Sequence, residues 1–159
     1  MTPATRSRVG IFVMGAGFFV LFVRARGQRA TPFAGWPANH TLLAVAALAL
    51  FAFGCAFMGW AIRALGKQWS FAARTVEGHR LVTSGPFAIV RNPIYASMGL
   101  LLVAGALAFA TPLRLLLALP LYFSGAFLRI RAEEQLMRTT FGAQWEEYRR
   151  RVPALIPWF

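Results

Sequence analysis

The chain contains no aspartate, and its acidic residues are five glutamates. Catalytic triads that use aspartate, paired-aspartate metal sites and EF-hand loops are therefore excluded by composition. Cysteine is nearly absent too, because Cys55 stands alone and no intrachain disulfide can form. The two histidines, His40 and His79, have no metal-ligand spacing with Cys55, and the chain has no glycine-rich nucleotide loop. If the protein is an enzyme, its site is not one of the common soluble kinds.

Apolar and basic residues are abundant instead. Hydrophobic residues make up 58% of the 159 positions, the mean hydropathy is +0.55, and the formal net charge is +12. The apolar residues fall in blocks that basic clusters separate, which is the pattern of an integral membrane protein. This apolar content is too high for a basic nucleic-acid-binding domain, so we expect a protein that lies in a membrane and binds no nucleic acid.

Four apolar blocks predict about four transmembrane helices in a single all-α membrane domain, 1–159. The blocks cover residues 9–23, 41–62, 94–110 and 114–129. The first block spans only about 22 Å of helix, against about 30 Å of bilayer, and a signal peptide is the alternative interpretation. The last two blocks are so close together that they predict an antiparallel helical hairpin.

The basic residues are distributed unequally between the two sides of such a bundle. With four spans, the N-terminus, the segment between the second and third spans and the C-terminal tail lie on one side. That side carries thirteen of the seventeen arginine and lysine residues. The positive-inside rule therefore predicts that both termini are cytoplasmic.

The C-terminal tail predicts an amphipathic helix rather than a separate domain, because about thirty residues cannot form a core of their own. Its apolar residues recur at intervals of four, four, three and four, and they are Met137, Phe141, Trp145, Tyr148 and Val152. This spacing predicts one helix that lies along the membrane surface or against the bundle. A plain membrane-surface anchor is the alternative.

Two adjacent glutamates follow the fourth apolar block and are not equivalent. Extending the apolar stripe backwards by fours reaches Glu133 and then Arg129, which places two ionisable groups on an apolar face at the membrane boundary. Such residues are costly there and indicate a functional site, although a simple ion pair between positions i and i+4 is the alternative. Glu134 lies on another face, four residues before Arg138, and predicts an ordinary surface salt bridge.

The stretch SGPFAIVRNPIY, 84–95, predicts two helix starts before the third apolar block. Pro86 opens a short helical segment, and Asn92 followed by Pro93 is a favourable cap and first helical residue. The free N–H groups of a helix start, together with the charge of Arg91, would suit an anion. An ordinary basic flank of a membrane span is the alternative for Arg91.

Two longer segments resemble a known family. GHRLVTSGPFAIVRNPIY, an apolar hairpin and then RIRAEEQLMRTTFGAQWEEYRRRVPALIP are similar to the isoprenylcysteine carboxyl methyltransferase and phospholipid methyltransferase superfamily of integral membrane enzymes. The shared features are an L-V-T-x-G turn, an R-H-P-x-Y box, a glutamate pair and an aromatic ending before V-P. The resemblance covers about residues 65–157, in the order that the family has.

The resemblance implies methyl transfer from S-adenosylmethionine to a lipophilic acceptor, either an isoprenylcysteine-like carboxylate or a phospholipid amine. It implies cytoplasmic cofactor-binding elements at 65–95 and 129–157. The cofactor contacts that it implies are His79, Arg80, Leu81, Val82, Phe87, Asn92, Pro93, Ile94, Tyr95 and Glu133. Arg129 matches the position that binds the acceptor carboxylate, and the resemblance implies no metal.

Two positions depart from the family pattern. Asn92 stands where histidine is usual, and Phe87 stands where tyrosine is common. An asparagine can still donate a hydrogen bond to a cofactor carboxylate, but it carries neither charge nor a transferable proton. Two other functions stay open: a membrane reductase of the steroid-reductase type that uses NADPH, and a non-catalytic membrane protein that binds anionic lipid or a partner.

Overall fold

The computed structural model describes residues 2–23, 32–33, 36, 39–66 and 80–156, and the regular elements within these ranges are helices. They are α1 (Pro3–Phe22), α2 (His40–Leu65), a 3₁₀ turn (Gly85–Ala88), α3 (Pro93–Phe109), α4 (Pro112–Phe141) and α5 (Ala143–Arg151). Among the described helices, α1, α2 and α4 are long and apolar enough to cross a membrane, and α3 is a shorter apolar helix of 17 residues. The predicted class, an all-α integral membrane protein, is confirmed.

Helix α1 begins six residues before the apolar block that predicted it. The side chain of Thr2 accepts a hydrogen bond from the backbone N–H of Thr5, and Pro3 occupies the first turn, where its missing N–H costs nothing. The 20 residues of α1 give a length of about 30 Å at 1.5 Å per residue. The described helix therefore has the length of a membrane span, with Arg6 and Arg8 in its first turns.

Helices α1 and α4 run antiparallel and touch backbone to backbone. Ser7 contacts Arg129 at one end of the pair, and the Leu21 carbonyl lies 3.5 Å from Arg114 Nη1 at the other. Between these ends, a Cβ on Gly125 would lie only 2.4 Å from the backbone nitrogen of Met14. Small residues allow membrane helices to approach this closely and to gain packing contacts. Helix α2 packs mainly along α3.

Tyr122 joins three helices in the centre of the bundle. Its side chain is fully buried, its ring packs edge-to-face on Phe18 of α1 at 5.9 Å, and its hydroxyl donates a hydrogen bond to the Tyr95 carbonyl of α3. Gly99 makes room for the ring, since a Cβ there would lie 3.2 Å from it. This contact holds the start of α3 against α4, on which the site depends.

The last membrane helix does not end where the apolar block does. Helix α4 continues through Arg129 to Phe141 and ends at Gly142, which has a φ of +50°. The prediction of one continuous tail helix is therefore wrong, because a glycine in this conformation separates α4 from α5. Arg138 at the end of α4 contacts Glu146 of α5 at 2.5 Å, and this hydrogen bond lowers the pKa of the Glu146 carboxyl.

Helix α5 is nonetheless amphipathic, as the tail sequence predicts. Trp145 and Tyr148 are buried, while the three consecutive arginines 149–151 are exposed. The aromatic face lies against the 3₁₀ turn and the start of α3, because the Tyr148 hydroxyl reaches the Phe87 carbonyl at 2.6 Å. The tail thus packs against the end of the bundle where α3 begins.

Candidate functional site

A buried polar cluster lies where α1, α3 and α4 meet. The Arg129 guanidinium forms an ion pair with Glu133 at 3.0 Å, and its Nε also donates a hydrogen bond to the Tyr95 hydroxyl. Tyr95 in turn donates to Glu133 Oε1 at 2.8 Å. The Nη1 of Arg129 donates to Ser7 Oγ at 3.1 Å. Three separate elements therefore contribute to one network.

Local sequence explains why these side chains meet. Arg129 and Glu133 are four residues apart on α4 and so share a face, and Tyr95 lies in the first turn of α3. The Tyr122 contact fixes α3 against α4 at this level. Helical spacing thus brings Arg129 and Glu133 together, and the packing of α3 on α4 adds Tyr95 to them.

The cluster is strongly shielded on one side and open on the other. Arg129 is 8% exposed, while the Glu133 side chain keeps 24% of its surface accessible. Removing one partner of a buried ion pair costs about 3–5 kcal/mol, because the other charge is left uncompensated. Arg129 therefore has a structural role in neutralising Glu133, and the accessible part of Glu133 is available to a ligand.

The donors of Arg91, next to the predicted anion site, have partners within the protein. The Arg91 guanidinium forms an ion pair with Glu134 at 2.8 Å and donates Nη1 hydrogen bonds to the carbonyls of Arg149 and Val152. Its backbone N–H donates to the Pro153 carbonyl at 2.8 Å. Carbonyl oxygens of the tail and the Glu134 carboxylate of α4 therefore take the donors of Arg91, and the interpretation of the helix start as an anion site stays a prediction.

Asn92 is also held by the tail. Helix α3 begins at Pro93 as predicted, but within the described residues the Asn92 side chain makes no capping hydrogen bond. Its Nδ2 and its backbone N–H both donate to the Ala154 carbonyl, at 3.1 and 3.0 Å. An amide at this position therefore serves as a donor to the C-terminal segment.

Glu134 does not form the surface salt bridge that the sequence predicts. Its carboxylate pairs with Arg91, 43 residues earlier, and accepts a hydrogen bond from Arg91 Nε at 2.9 Å. Arg138, the predicted partner, pairs with Glu146 instead. The adjacent glutamates thus belong to two different networks, since Glu133 faces the Tyr95 cluster and Glu134 faces the tail.

The 3₁₀ turn before α3 is supported by α5. Phe87 is buried, and its carbonyl accepts the hydrogen bond from the Tyr148 hydroxyl. Burial raises the pKa of Tyr148 to about 12, so the phenol remains a donor throughout the neutral range. Trp145 stacks edge-to-face on Tyr148 at 5.6 Å, and within the described ranges its buried Nε1 has no hydrogen-bond partner. Buried polar groups usually have partners, so this donor is a candidate contact for a ligand.

Gly85 allows this turn to form. Its φ of +62° lies in the left-handed region, and a Cβ there would lie 3.3 Å from Trp60 Nε1 of α2. The short helical segment that Pro86 predicts is present, with Ser84 at its N-cap position.

The remaining predicted cofactor residues are placed as follows. Arg80 is exposed, and Leu81 and Val82 are half-buried in the irregular segment that precedes the 3₁₀ turn. Pro93 is buried and Ile94 half-buried in the first turn of α3. His79 lies outside the described residues. Of the predicted set, Tyr95, Glu133 and Arg129 are in mutual contact, whereas Phe87 and Asn92 contact α5 and the segment after it.

An open cleft of about 970 Å³ lies beside the tail. Its lining includes Ile89, Arg91, Arg149 and Val152. None of the described residues that line it belongs to the Tyr95 cluster, so the cleft and the cluster are separate features.

Sequence reasoning missed Ser7. The hydroxyl lies 122 residues from Arg129 in the chain and is 7% exposed. A signal was available in the glycines at 10 and 17, which mark the face of α1 that approaches another helix. Ser7 continues that face by one turn towards the N-terminus.

The sequence model of one family matches the region that contains Tyr95, Arg129 and Glu133. The sequence model of the phospholipid methyltransferase family matches residues 42–144. Protein-S-isoprenylcysteine O-methyltransferase B of Arabidopsis thaliana is 31% identical over 84 residues, which cover 53% of this chain and 43% of that protein. The Schizosaccharomyces pombe protein-S-isoprenylcysteine O-methyltransferase is 35% identical over 91 residues, or 54% of this chain and 36% of that protein.

A third relative has a different description. The cobalt-zinc-cadmium resistance protein CzcN of Cupriavidus metallidurans is 32% identical over 104 residues, which cover 63% of this chain and 46% of that protein. The matched segment spans less than half the length of each of these three relatives.

Proposed function

This chain belongs to the phospholipid methyltransferase family, and from that membership we propose that it transfers the methyl group of S-adenosylmethionine to a lipophilic acceptor. The acceptor is an isoprenylcysteine-like carboxylate or a phospholipid amine. Two of the similar proteins are isoprenylcysteine methyltransferases by name, and the family name refers to phospholipids, which supports a lipid-like acceptor.

The cluster of Tyr95, Arg129 and Glu133 is the observation that carries this proposal. It places one partly accessible carboxylate, Glu133, among buried donors at the end of an apolar bundle. A carboxylate there suits the hydroxyl or amino groups of a polar cofactor, while the apolar helices suit a lipid tail. The polar cofactor and the lipophilic acceptor would therefore meet at the end of the bundle where Glu133 lies.

The residues present fit S-adenosylmethionine. Glu133 would accept hydrogen bonds from it, and Trp145 Nε1 is a buried donor that would be satisfied by it. His79, Arg80, Leu81, Val82, Phe87, Asn92, Pro93, Ile94 and Tyr95 complete the proposed cofactor-binding set. When bound, the cofactor supplies a methyl group that its sulfonium already activates. The chain therefore needs to orient the acceptor and to exclude water.

Arg129 is the residue we propose for contact with the acceptor. Its guanidinium is 8% exposed and pairs with Glu133, so an acceptor carboxylate would share it with that glutamate rather than bind it alone. A guanidinium has five donors in a planar fork and can serve two carboxylates. An amine acceptor would instead need a base, and the glutamates are the available candidates.

We place the site at the cytoplasmic face of the membrane, with both termini on that side. Ser7, the cluster and the tail contacts lie at one end of the bundle, and the basic residues of the sequence are concentrated in the same segments. The positive-inside rule supports this orientation. The cofactor would enter from the cytosol and the lipid from the bilayer.

Ligand-dependent thermal unfolding of the detergent-solubilised protein tests the cofactor class. We expect S-adenosylhomocysteine to raise the midpoint, since a ligand at one hundred times its Kd contributes about 2.7 kcal/mol. NADPH should leave it unchanged. A shift with NADPH alone would instead support a membrane reductase, and no shift with either compound would support a non-catalytic protein.

A further inference from the structure

The C-terminal segment 152–154 is bound to the start of α3 by an unusually dense set of contacts. Backbone N–H groups of Arg91 and Asn92 donate to the carbonyls of Pro153 and Ala154, and the Asn92 side chain donates to Ala154 again. These bonds join residues about sixty positions apart. They hold the segment after α5 directly against Arg91 and Asn92, which precede Pro93 at the start of α3.

Arg91 is the centre of these contacts. Its guanidinium reaches two carbonyls of the tail, those of Arg149 and Val152, and a carboxylate of α4, that of Glu134. The Arg91 and Glu134 side chains are only 9% and 19% exposed, so their pairing is shielded from solvent. A planar guanidinium can make all three contacts at once, which an ammonium cannot do in the same geometry.

The same region fixes two residues of the proposed cofactor set. Asn92 is bonded to Ala154, and the Phe87 carbonyl is bonded to Tyr148 of α5. Residues 87–92 therefore take their orientation from α5 and the segment after it. Without that support, the turn and the start of α3 would lose these partners.

We propose that Arg91 and Glu134 form a latch that holds residues 152–154 across the start of α3, and that they act as positioning residues for the proposed cofactor contacts Phe87 and Asn92. The latch itself follows from the contacts above. Its effect on cofactor binding rests on the proposed function. Neither residue needs to touch the cofactor, because both act through the tail.

Limited proteolysis of the 159-residue chain tests the latch independently of function. Trypsin cleaves after arginine, and the Arg149 carbonyl of one such bond is itself held by Arg91. Release of the peptides that begin at residues 150, 151 and 152, followed by mass spectrometry, reports how often the tail opens. We expect Glu134→Gln to accelerate this release roughly tenfold, which corresponds to about 1.4 kcal/mol in the opening equilibrium. Arg91→Lys keeps the positive charge but loses the planar guanidinium, and it should also accelerate the release of these peptides.

Glu147→Gln is the matched control. Glu147 pairs with Arg151 on the same helix, but both side chains are about 70% exposed, and an exposed pair contributes little. The rate of peptide release from Glu147→Gln should stay within about twofold of the rate from the parent protein. An unchanged rate in both Glu134→Gln and Arg91→Lys would contradict the latch.

Calorimetric titration with S-adenosylhomocysteine tests the positioning role. We expect Glu134→Gln and Arg91→Lys to weaken binding several-fold, and Glu147→Gln to leave it unchanged. Faster release of the peptides with unchanged affinity would overturn the positioning role and keep the latch. If the parent protein itself does not bind S-adenosylhomocysteine, the proposed function fails and so does the positioning role, while the proteolysis still decides on the latch.

Discussion

The Tyr95 hydroxyl is shared between two charged side chains of α4. It accepts a hydrogen bond from Arg129 Nε and donates one to Glu133 Oε1, so it fixes the distance between the start of α3 and the ion pair. The tyrosine thus determines where the accessible carboxylate points. This is a role for the hydroxyl, whereas the centre of the ring lies 5.9 Å from the Arg129 guanidinium carbon, and the two contributions can be separated.

Tyr95→Phe and Tyr122→Phe form a matched pair for this test. Each substitution removes one buried hydroxyl between α3 and α4, and each should lower the free energy of unfolding by about 1 kcal/mol. We expect Tyr95→Phe to weaken S-adenosylhomocysteine binding by roughly tenfold, and Tyr122→Phe to weaken it less, because Tyr122 acts only through the position of α3. Thermal unfolding and calorimetry measure the two effects. Equal affinities in the two variants would show that the Tyr95 hydroxyl does not orient Glu133 for a ligand.

Residue pairs close in sequence were predictable, and distant pairs were not. The spacing of Arg129 and Glu133 on one helix face predicts their contact, because helical geometry alone brings them together. Glu134 has Arg138 at an equally favourable spacing, yet it pairs with Arg91 across the fold. Only the packing of the tail against α3 decides between these partners.

At the level of elements, the contact between α1 and α4 determines whether the site is complete. Gly10 and Gly125 bring the two backbones together, since a Cβ on Gly10 would lie 2.7 Å from the Gly125 carbonyl oxygen. Ser7 then reaches Arg129 one turn further along α1. A larger residue in this contact would move Ser7 away from the cluster.

Gly125→Ala is expected to destabilise the protein by about 1–3 kcal/mol, because the added methyl group meets backbone atoms that cannot move independently. Gly15→Ala on α1 is the control, since nothing lies within 4 Å of its Cβ position. That variant should be neutral or more stable by up to about 1 kcal/mol, as alanine favours the helix. Thermal unfolding in detergent measures both. Similar midpoints for the two variants would argue against the close contact.

The elements themselves were largely predictable from the apolar blocks, and their ends were less so. Pro93 after Asn92 marks the start of α3, because a proline in the first turn has a compatible φ and no N–H to satisfy. The break at Gly142 was not predicted, since the apolar stripe continues across it from α4 to α5. The pattern reflects burial on both helices and does not reveal the change of direction between them.

At the scale of the whole molecule, the site uses more of the chain than the region matched by the family. That region covers residues 42–144, but Ser7 of α1 and residues 152–154 lie outside it and contact Arg129, Arg91 and Asn92. Both outer segments approach the same end of the bundle. The site is therefore assembled by the fold as a whole, which is why no single motif of the sequence contained it.

Methyl transfer to membrane lipid tests the central claim most directly. The purified protein would be incubated with a lipid extract and S-adenosylmethionine carrying a deuterated methyl group, and the products analysed by mass spectrometry. The account predicts a lipophilic product heavier by one labelled methyl group with the parent protein and none with Glu133→Gln. The absence of labelled product from a folded parent protein that is supplied with isoprenylcysteine and phospholipid acceptors, or equal labelling by Glu133→Gln, would contradict it.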